Sequence, residues 1–329
     1  MKKTACFVIT LIVSACAFIS ASNKNDEKTG ILILAHGGKA NWNQAVYDAA
    51  EPLRSYYPVE IVFGMANPRT MQAGIDNLEK QGVSKIVVVP LFISSYSFII
   101  RQNEYLLGIR KELADPPFVM DHGDGMEQAS DNKHEAMESN DHQKMPSMAT
   151  AQHEGGMATI KPLNINAQII LTKPLDDSQY VADILYKHIA ELSLNPDVET
   201  VIIVGHGPEG ESDNRNWILT IERLADRIQE LQLKKGPGFR MIFSVTVRDD
   251  ASKEIYDQAK ENLRSLVRQA GVEGDVIVVP LLLSQGGIEE GIITRLEGLD
   301  YKWNGKTLLP ELGISGFLEN TIRDALRTR

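Results

Sequence analysis

The sequence predicts an α/β protein of two similar lobes, each a parallel sheet flanked by helices. Continuous Val/Ile/Leu runs alternate with longer helical patterns. That is the signature of parallel strands covered on both faces. The same order of elements occurs twice along the chain, which marks an internal repeat. The length, 329 residues, suits two units at roughly 100–200 residues each.

The elements run in the same order in both halves. Residues 31–34 (ILIL) lead into Ala35-His36-Gly37-Gly38, and residues 201–204 (VIIV) into Gly205-His206-Gly207-Pro208. Helical patterns with Asn and Trp follow, at 41–56 and 214–231. Second strands come at 59–64 and 240–247, and helices at 69–81 and 250–270. Third strands at 85–93 (KIVVVPLFI) and 275–283 (DVIVVPLLL) share Val-Val-Pro-Leu and end on Ser94 and Ser284. Each half closes with a strand and helix, 167–171 with 177–192 and 306–309 with 313–327. The predicted lobes are 28–196 and 199–329, joined at the Asn195-Pro196 turn.

Two segments lie outside this repeat. Residues 1–22 read as a signal peptide: Lys2 and Lys3, then an apolar run at 4–13 too short to span a bilayer as a helix. Val13-Ser14-Ala15-Cys16 resembles a lipobox, which makes Cys16 a lipid anchor. Ser20-Ala21-Ser22 offers the alternative cleavage site. The expected location is outside the cytoplasm, periplasmic or membrane-anchored as a lipoprotein. Both cysteines, Cys6 and Cys16, fall in this segment, so thiolate metal sites and cysteine nucleophiles are excluded. The second segment, 115–160, is an acidic insertion in the first half with almost no branched aliphatics. Such a composition predicts a mobile loop.

Composition removes further classes. The net charge is −10 with no Lys/Arg cluster, and aromatics make up 6%. Nucleic acid is therefore not an expected partner, and no transmembrane span is expected. No Gly-x-Ser-x-Gly elbow accompanies His36-Gly37-Gly38, which excludes a lipase-like oxyanion turn. Walker A and dinucleotide-binding glycine patterns are also absent.

What remains is concentrated at strand ends. In open α/β sheets ligands bind beyond the carboxyl ends of the strands, where His36 and His206 are expected. Gly37, Gly38 and Gly207 allow a ligand close to the backbone. A neutral imidazole there can hold a metal or accept a proton. A ring that merely ends a strand is the structural alternative.

The whole pattern resembles the class II chelatases, in particular the CbiX-type sirohydrochlorin cobaltochelatases and ferrochelatases. The resemblance spans nearly all of 30–329 outside the insertion. It rests on His-Gly after the first strand, Val-Val-Pro-Leu-[Phe/Leu]-[Ile/Leu]-Ser in the third, and the duplicated body. It implies two chelatase-like lobes facing across a cleft that takes a tetrapyrrole. It also implies a divalent metal substrate (Co, Fe or Ni) and no organic cofactor. On it, His36 and His206 are metal ligand and proton acceptor. Relatives carry a second His after the third strand; this chain has Phe98 and Ile288 there. Glu289 and Glu290 follow Ile288 and are candidate proton carriers, or acids in a solvated first helical turn. Ser94, Tyr96 and Ser284 line the same loops.

The insertion supports a second function. It contains His122, His134, His142 and His153, four of the seven histidines, and six of the ten methionines. Imidazole with thioether suits copper, and imidazole with carboxylate suits cobalt, nickel or zinc. An exported metal- or tetrapyrrole-binding protein on an inactive chelatase fold is thus the alternative. Three other features carry less. Trp42 and Trp217 are expected to pack in the core. Arg101 and Arg215 suit either substrate carboxylates or surface ion pairs. His188 is expected to be an ordinary, partly exposed helix residue.

Overall fold

The structure is a computed structural model that describes residues 27–113 and 160–327. The predicted signal segment and nearly all of the insertion lie outside the described residues.

The first sheet contains β1 (Thr29–Ala35), β2 (Val59–Phe63), β3 (Lys85–Leu91) and β4 (Gln168–Leu171), in the order β2-β1-β3-β4. The second contains β5 (Thr200–Gly205), β6 (Met241–Thr246) and β7 (Val276–Leu281), in the order β6-β5-β7. Every pairing is parallel. The pairings of the two first strands correspond: Ala35 pairs with Phe63 and Leu91, and Gly205 with Thr246 and Leu281. The two first strands therefore end at equivalent points, just before His36 and His206.

Eight helices are found among the described residues. They are α1 (Ala40–Ala50), α2 (Pro68–Lys80), α3 (Phe98–Leu106), α4 (Gln179–Ala190), α5 (Glu211–Leu233), α6 (Lys253–Glu273), α7 (Ile288–Arg295) and α8 (Leu312–Arg327). Local chemistry sets several starts. The Asn67 side chain accepts from the Arg69 and Thr70 amides, with Pro68 in the first turn of α2. Ser97 and Ser178 cap α3 and α4 in the same way.

Strand alternation divides the core. Ile31 and Ile33 of β1 and Val201 and Ile203 of β5 belong to one shared cluster with residues of α1, α4, α5 and α8. Leu32 and Leu34 join α2 on the outer face of the first sheet. Ile202 and Val204 join α6 and α7 on the outer face of the second. Two sheets thus enclose a central helical layer, and each carries its own outer layer.

Two features differ from the sequence expectation. The halves exchange a helix. α4, from the first half, packs on α5 and β7 of the second, while α8, from the end of the chain, packs on α1 and β3 of the first. Amphipathicity shows that a helix buries a face, not which sheet receives it. The expected strand at 306–309 is also not a regular strand. Leu308 and Leu309 donate to Leu282 and Leu283 at 2.9 and 2.7 Å, beyond the end of β7. Pro310 follows with no N–H to continue a ladder. Among the described residues, no helix is long and apolar enough to cross a membrane.

Candidate functional site

The histidines close equivalent strands, and a glycine turns the chain after each. Gly37 and Gly207 have φ of +84° and +75°, a region costly for residues with a Cβ. A Cβ on Gly37 would lie 2.9 Å from the Phe63 Cβ, and one on Gly207 only 2.4 Å from the Thr246 Cβ. The glycines thus let the chain leave the sheet against the neighbouring strand. Gly38 lies against the Trp42 ring, and its amide donates to the Asn43 side chain at 2.9 Å.

The rings sit in different surroundings. His36 is exposed, its Nδ1 2.7 Å from the Gly37 carbonyl and its ring 6.4 Å from that of Trp42. His206 is about a quarter exposed, and its Nε2 lies 3.3 Å from Oδ2 of Asp250. Sequence reasoning missed Asp250. It lies just past the carboxyl end of β6, and the strand-end rule that singled out His206 could have found it. Arg248, buried and at φ +52°, secures this turn. Its amide donates to the His206 carbonyl at 2.7 Å. Its guanidinium reaches the Pro208 and Glu209 carbonyls and the Glu211 carboxylate.

Each tryptophan meets the third-strand loop of the other lobe. Trp217 Nε1 donates to the Tyr96 carbonyl at 2.8 Å. A Cβ on Gly286 would touch the Trp42 indole at 3.7–3.9 Å. Both rings are buried, which agrees with a packing role. Arg101 of the first lobe forms a two-point pair with Asp213 of the second, at 3.0 and 2.8 Å. It is committed to the lobe interface, whereas Arg215 is exposed on α5.

The loop residues divide by role. Ser94 is buried and accepts the Tyr96 amide at 3.2 Å; Ser95 is held by Asp176 through its amide and hydroxyl, at 2.7 and 2.6 Å. Tyr96 is exposed and Ser284 partly so. Glu289 accepts from the Gly286 and Gly287 amides at 3.2 and 3.1 Å, and so caps the start of α7; Glu290 is exposed. Phe98 and Ile288 open α3 and α7. His122, His134, His142 and His153 lie outside the described residues. Among those described, no three His, Cys, Asp or Glu side chains cluster as a metal site.

His188 departs from expectation. It is 1% exposed, its Nε2 lies 3.3 Å from Glu311, and its Nδ1 has no partner. Burial moves its pKa down, and Glu311 opposes that shift. Glu311 lies at the start of the exchanged helix α8, so its presence over α4 is not visible in the local sequence.

Comparisons with known proteins follow these motifs. Residues 30–112 match the CbiX family model. The sirohydrochlorin cobaltochelatase of Saccharolobus solfataricus is 37% identical over 82 residues, 24% of this chain and 64% of that protein. That of Saccharolobus islandicus strain L.S.2.15 matches to the same extent. The chain thus spans just under two thirds of the length of these curated relatives. SirB from Bacillus subtilis with Fe3+ superimposes with a TM-score of 0.54 at 15% identity, covering 91% of this chain and 96% of that one. SirB from Bacillus subtilis subspecies spizizenii in complex with cobalt gives 0.51 at 15%, covering 91% and 95%. At that identity the shared property is the two-lobed α/β fold.

Proposed function

We propose, from the match of residues 30–112 to the CbiX family model, that this protein inserts a divalent metal into a sirohydrochlorin-type tetrapyrrole where the lobes meet. The metal substrate is Co(II), Fe(II) or Ni(II). The observation that carries the reading is the pair of histidines on equivalent strand ends, with each lobe's tryptophan against the other lobe's loop.

Insertion exchanges two pyrrole N–H protons for one metal ion, so the site needs a metal donor and proton acceptors. His36 suits the first task. With Nδ1–H donated to the Gly37 carbonyl, the Nε2 lone pair is free for a metal. His206 suits the second, because its Nε2 lies 3.3 Å from Oδ2 of Asp250, within reach for passing a proton on. Tyr96 and Ser284 lie on the loops that would border the macrocycle. Export is part of the proposal, supported by the apolar run and the polar linker after it. The intact mass of the mature protein separates a lipidated Cys16 from a start at Asn23.

A second reading has its own support. Phe98 and Ile288 stand where the resemblance expects imidazole, and Glu289 is engaged as a helix cap. Few donors are then left at the mouth, as in a carrier that holds metal or tetrapyrrole without turnover, with the histidines of the insertion sequestering metal. One absorbance experiment tests both. Purified protein is mixed with metal-free sirohydrochlorin and Co(II), Fe(II) or Ni(II), beside His36→Ala and His206→Ala. Spectral change beyond one equivalent of protein, abolished by either substitution, supports the chelatase. A shift that stops at one equivalent supports the carrier and refutes turnover.

A further inference from the structure

We infer that Arg295 is a positioning residue that holds Asp250 against His206 from the far end of α7. The inference rests on the proposed role of His206, but its geometry and test do not require turnover. Arg295 is the last residue of α7 and is 1% exposed. Its Nη2 donates to Asp249 Oδ1, and its guanidinium carbon lies 3.8 Å over the Tyr256 ring. Nε and Nη1 have no hydrogen-bond partner. A guanidinium buried with one carboxylate and one ring is costly compared with an apolar residue of similar volume. The one ion pair of its guanidinium among the described residues is with Asp249, the residue before Asp250.

The two residues that lead into Asp250 are both anchored. Arg248 binds the His206 carbonyl and the loop that follows it. Asp249 is anchored to Arg295. Asp250 comes next, half exposed, with the His206 ring as its ion-pair partner among the described residues. The direction of its carboxylate is thus set by a backbone anchored at the two residues before it and closed after it, where the Ala251 amide donates to the Arg248 carbonyl at 3.1 Å.

The first lobe provides a comparison within the same molecule. Pro90 and Pro280 occupy equivalent register positions, opposite Leu34 and Val204. Fifteen residues beyond them stand Tyr105 and Arg295. Tyr105 turns its hydroxyl to the Ile160 carbonyl at 3.1 Å. Four residues past the paired positions Phe63 and Thr246 stand Asn67 and Asp250. Asn67 is used to cap α2. Among the described residues, the lobe without the arginine is thus the lobe with no acid paired to its histidine, so the two features occur together.

The test is an NMR experiment on ring-labelled histidine in the full protein at fixed pH, reading the ring nitrogens of His206 and His36. Asp250→Asn gives the signature of a lost carboxylate contact. Arg295→Met is expected to move His206 to the same signature and leave His36 unchanged, with no further change in the double variant. Arg295→Lys, which keeps a cation, is expected to restore part of the wild-type pattern. If Arg295→Met fails to fold, Asp249→Asn cuts the same link from its partly exposed side and is read in the same way. His206 nitrogens that stay at wild-type positions when the link is cut would overturn the inference. So would equal movement of both histidines, which marks a general structural effect. Wild-type protein without turnover would sink the proposed chelatase and leave this result readable.

Discussion

Replacing Gly207 by alanine tests whether the strand-end glycines are forced by geometry, and the molecule supplies a graded series of controls. Gly82 has φ +79° and open space where a Cβ would go. Gly82→Ala should therefore cost only the left-handed backbone term, about 1–2 kcal/mol, less about 0.4–1 kcal/mol recovered by stiffening the unfolded chain. Gly207 has nearly the same φ, +75°, but its new Cβ would stand 2.4 Å from the Thr246 Cβ. Carbon atoms in contact settle near about 3.5–4.0 Å, so the neighbour must move by more than about 1 Å. Thr246 cannot easily do so. It pairs with Gly205 in the β5–β6 register, and its hydroxyl donates to Asn214 at 2.7 Å. Overpacking of this kind adds about 1–3 kcal/mol. Gly37, with 2.9 Å to the Phe63 Cβ, belongs between the two. Urea unfolding at constant slope should rank the proteins as wild type, Gly82→Ala, Gly37→Ala and Gly207→Ala, in falling order of midpoint. A Gly207→Ala protein no less stable than Gly82→Ala would refute the close-approach argument.

Two further outcomes follow from the lobe interface and the buried histidine. The Arg101–Asp213 pair has side chains 32% and 20% exposed. A double-mutant cycle with Arg101→Ala and Asp213→Ala should give a coupling of about 1 kcal/mol, above most exposed pairs, and the coupling should weaken in salt; a cycle that sums to zero would show an interface that does not depend on it. Burial holds the His188 pKa below the ordinary imidazole value of 6.5, so the unfolded chain binds its proton more readily than the folded one. Stability tied to His188 is therefore fully present above pH about 6.5 and lost as pH falls from there through the folded value. Glu311, lowered from 4.5 chiefly by its hydrogen bond to Lys187, adds a separate loss at lower pH, below its unfolded value. His188→Gln should remove the first loss and keep the second in thermal melts across pH 4–8; an unchanged profile would count against the assignment.

The legible parts of this protein were those encoded by local pattern. Val87, Val89 and Leu91 alternate with Ile86 and Val88 between two apolar environments, so a continuous apolar run was enough to reveal a strand covered on both faces. The repeated His-Gly and Val-Val-Pro-Leu located the strand ends. Long-range partners stayed hidden. Nothing near Gln179–Ala190 says that this helix leaves its own sheet, and nothing near His188 says that Glu311 will cover it. Asp250 was missed for a related reason: it reads as the first residue of a helix over 250–270 until the register of β6 brings it beside His206. The short helices α3 and α7 follow loops whose serines and glycines conceal their starts. Only the acids at Glu289 and Glu290 suggested a helical turn there.

The helix exchange has a consequence for the site. Were each lobe complete in itself, the two strand-end histidines would sit on bodies related only by a linker. Here the shared cluster contains Ile33 and Ile203, Trp42 and Leu185, Phe317 and Leu308 in one continuous core. Opening the lobes as independent bodies would expose that core, so the space between the strand ends is set by packing. At the mouth the described contacts include one indole donor to the Tyr96 carbonyl, one indole against Gly286, the two-point Arg101–Asp213 pair, and Arg223 and Arg227 on Asp177. On the proposed function, a planar ligand would enter between these loops, with the two histidines held at strand ends by the packed core and Tyr96 and Gly286 by the fewer contacts at the mouth.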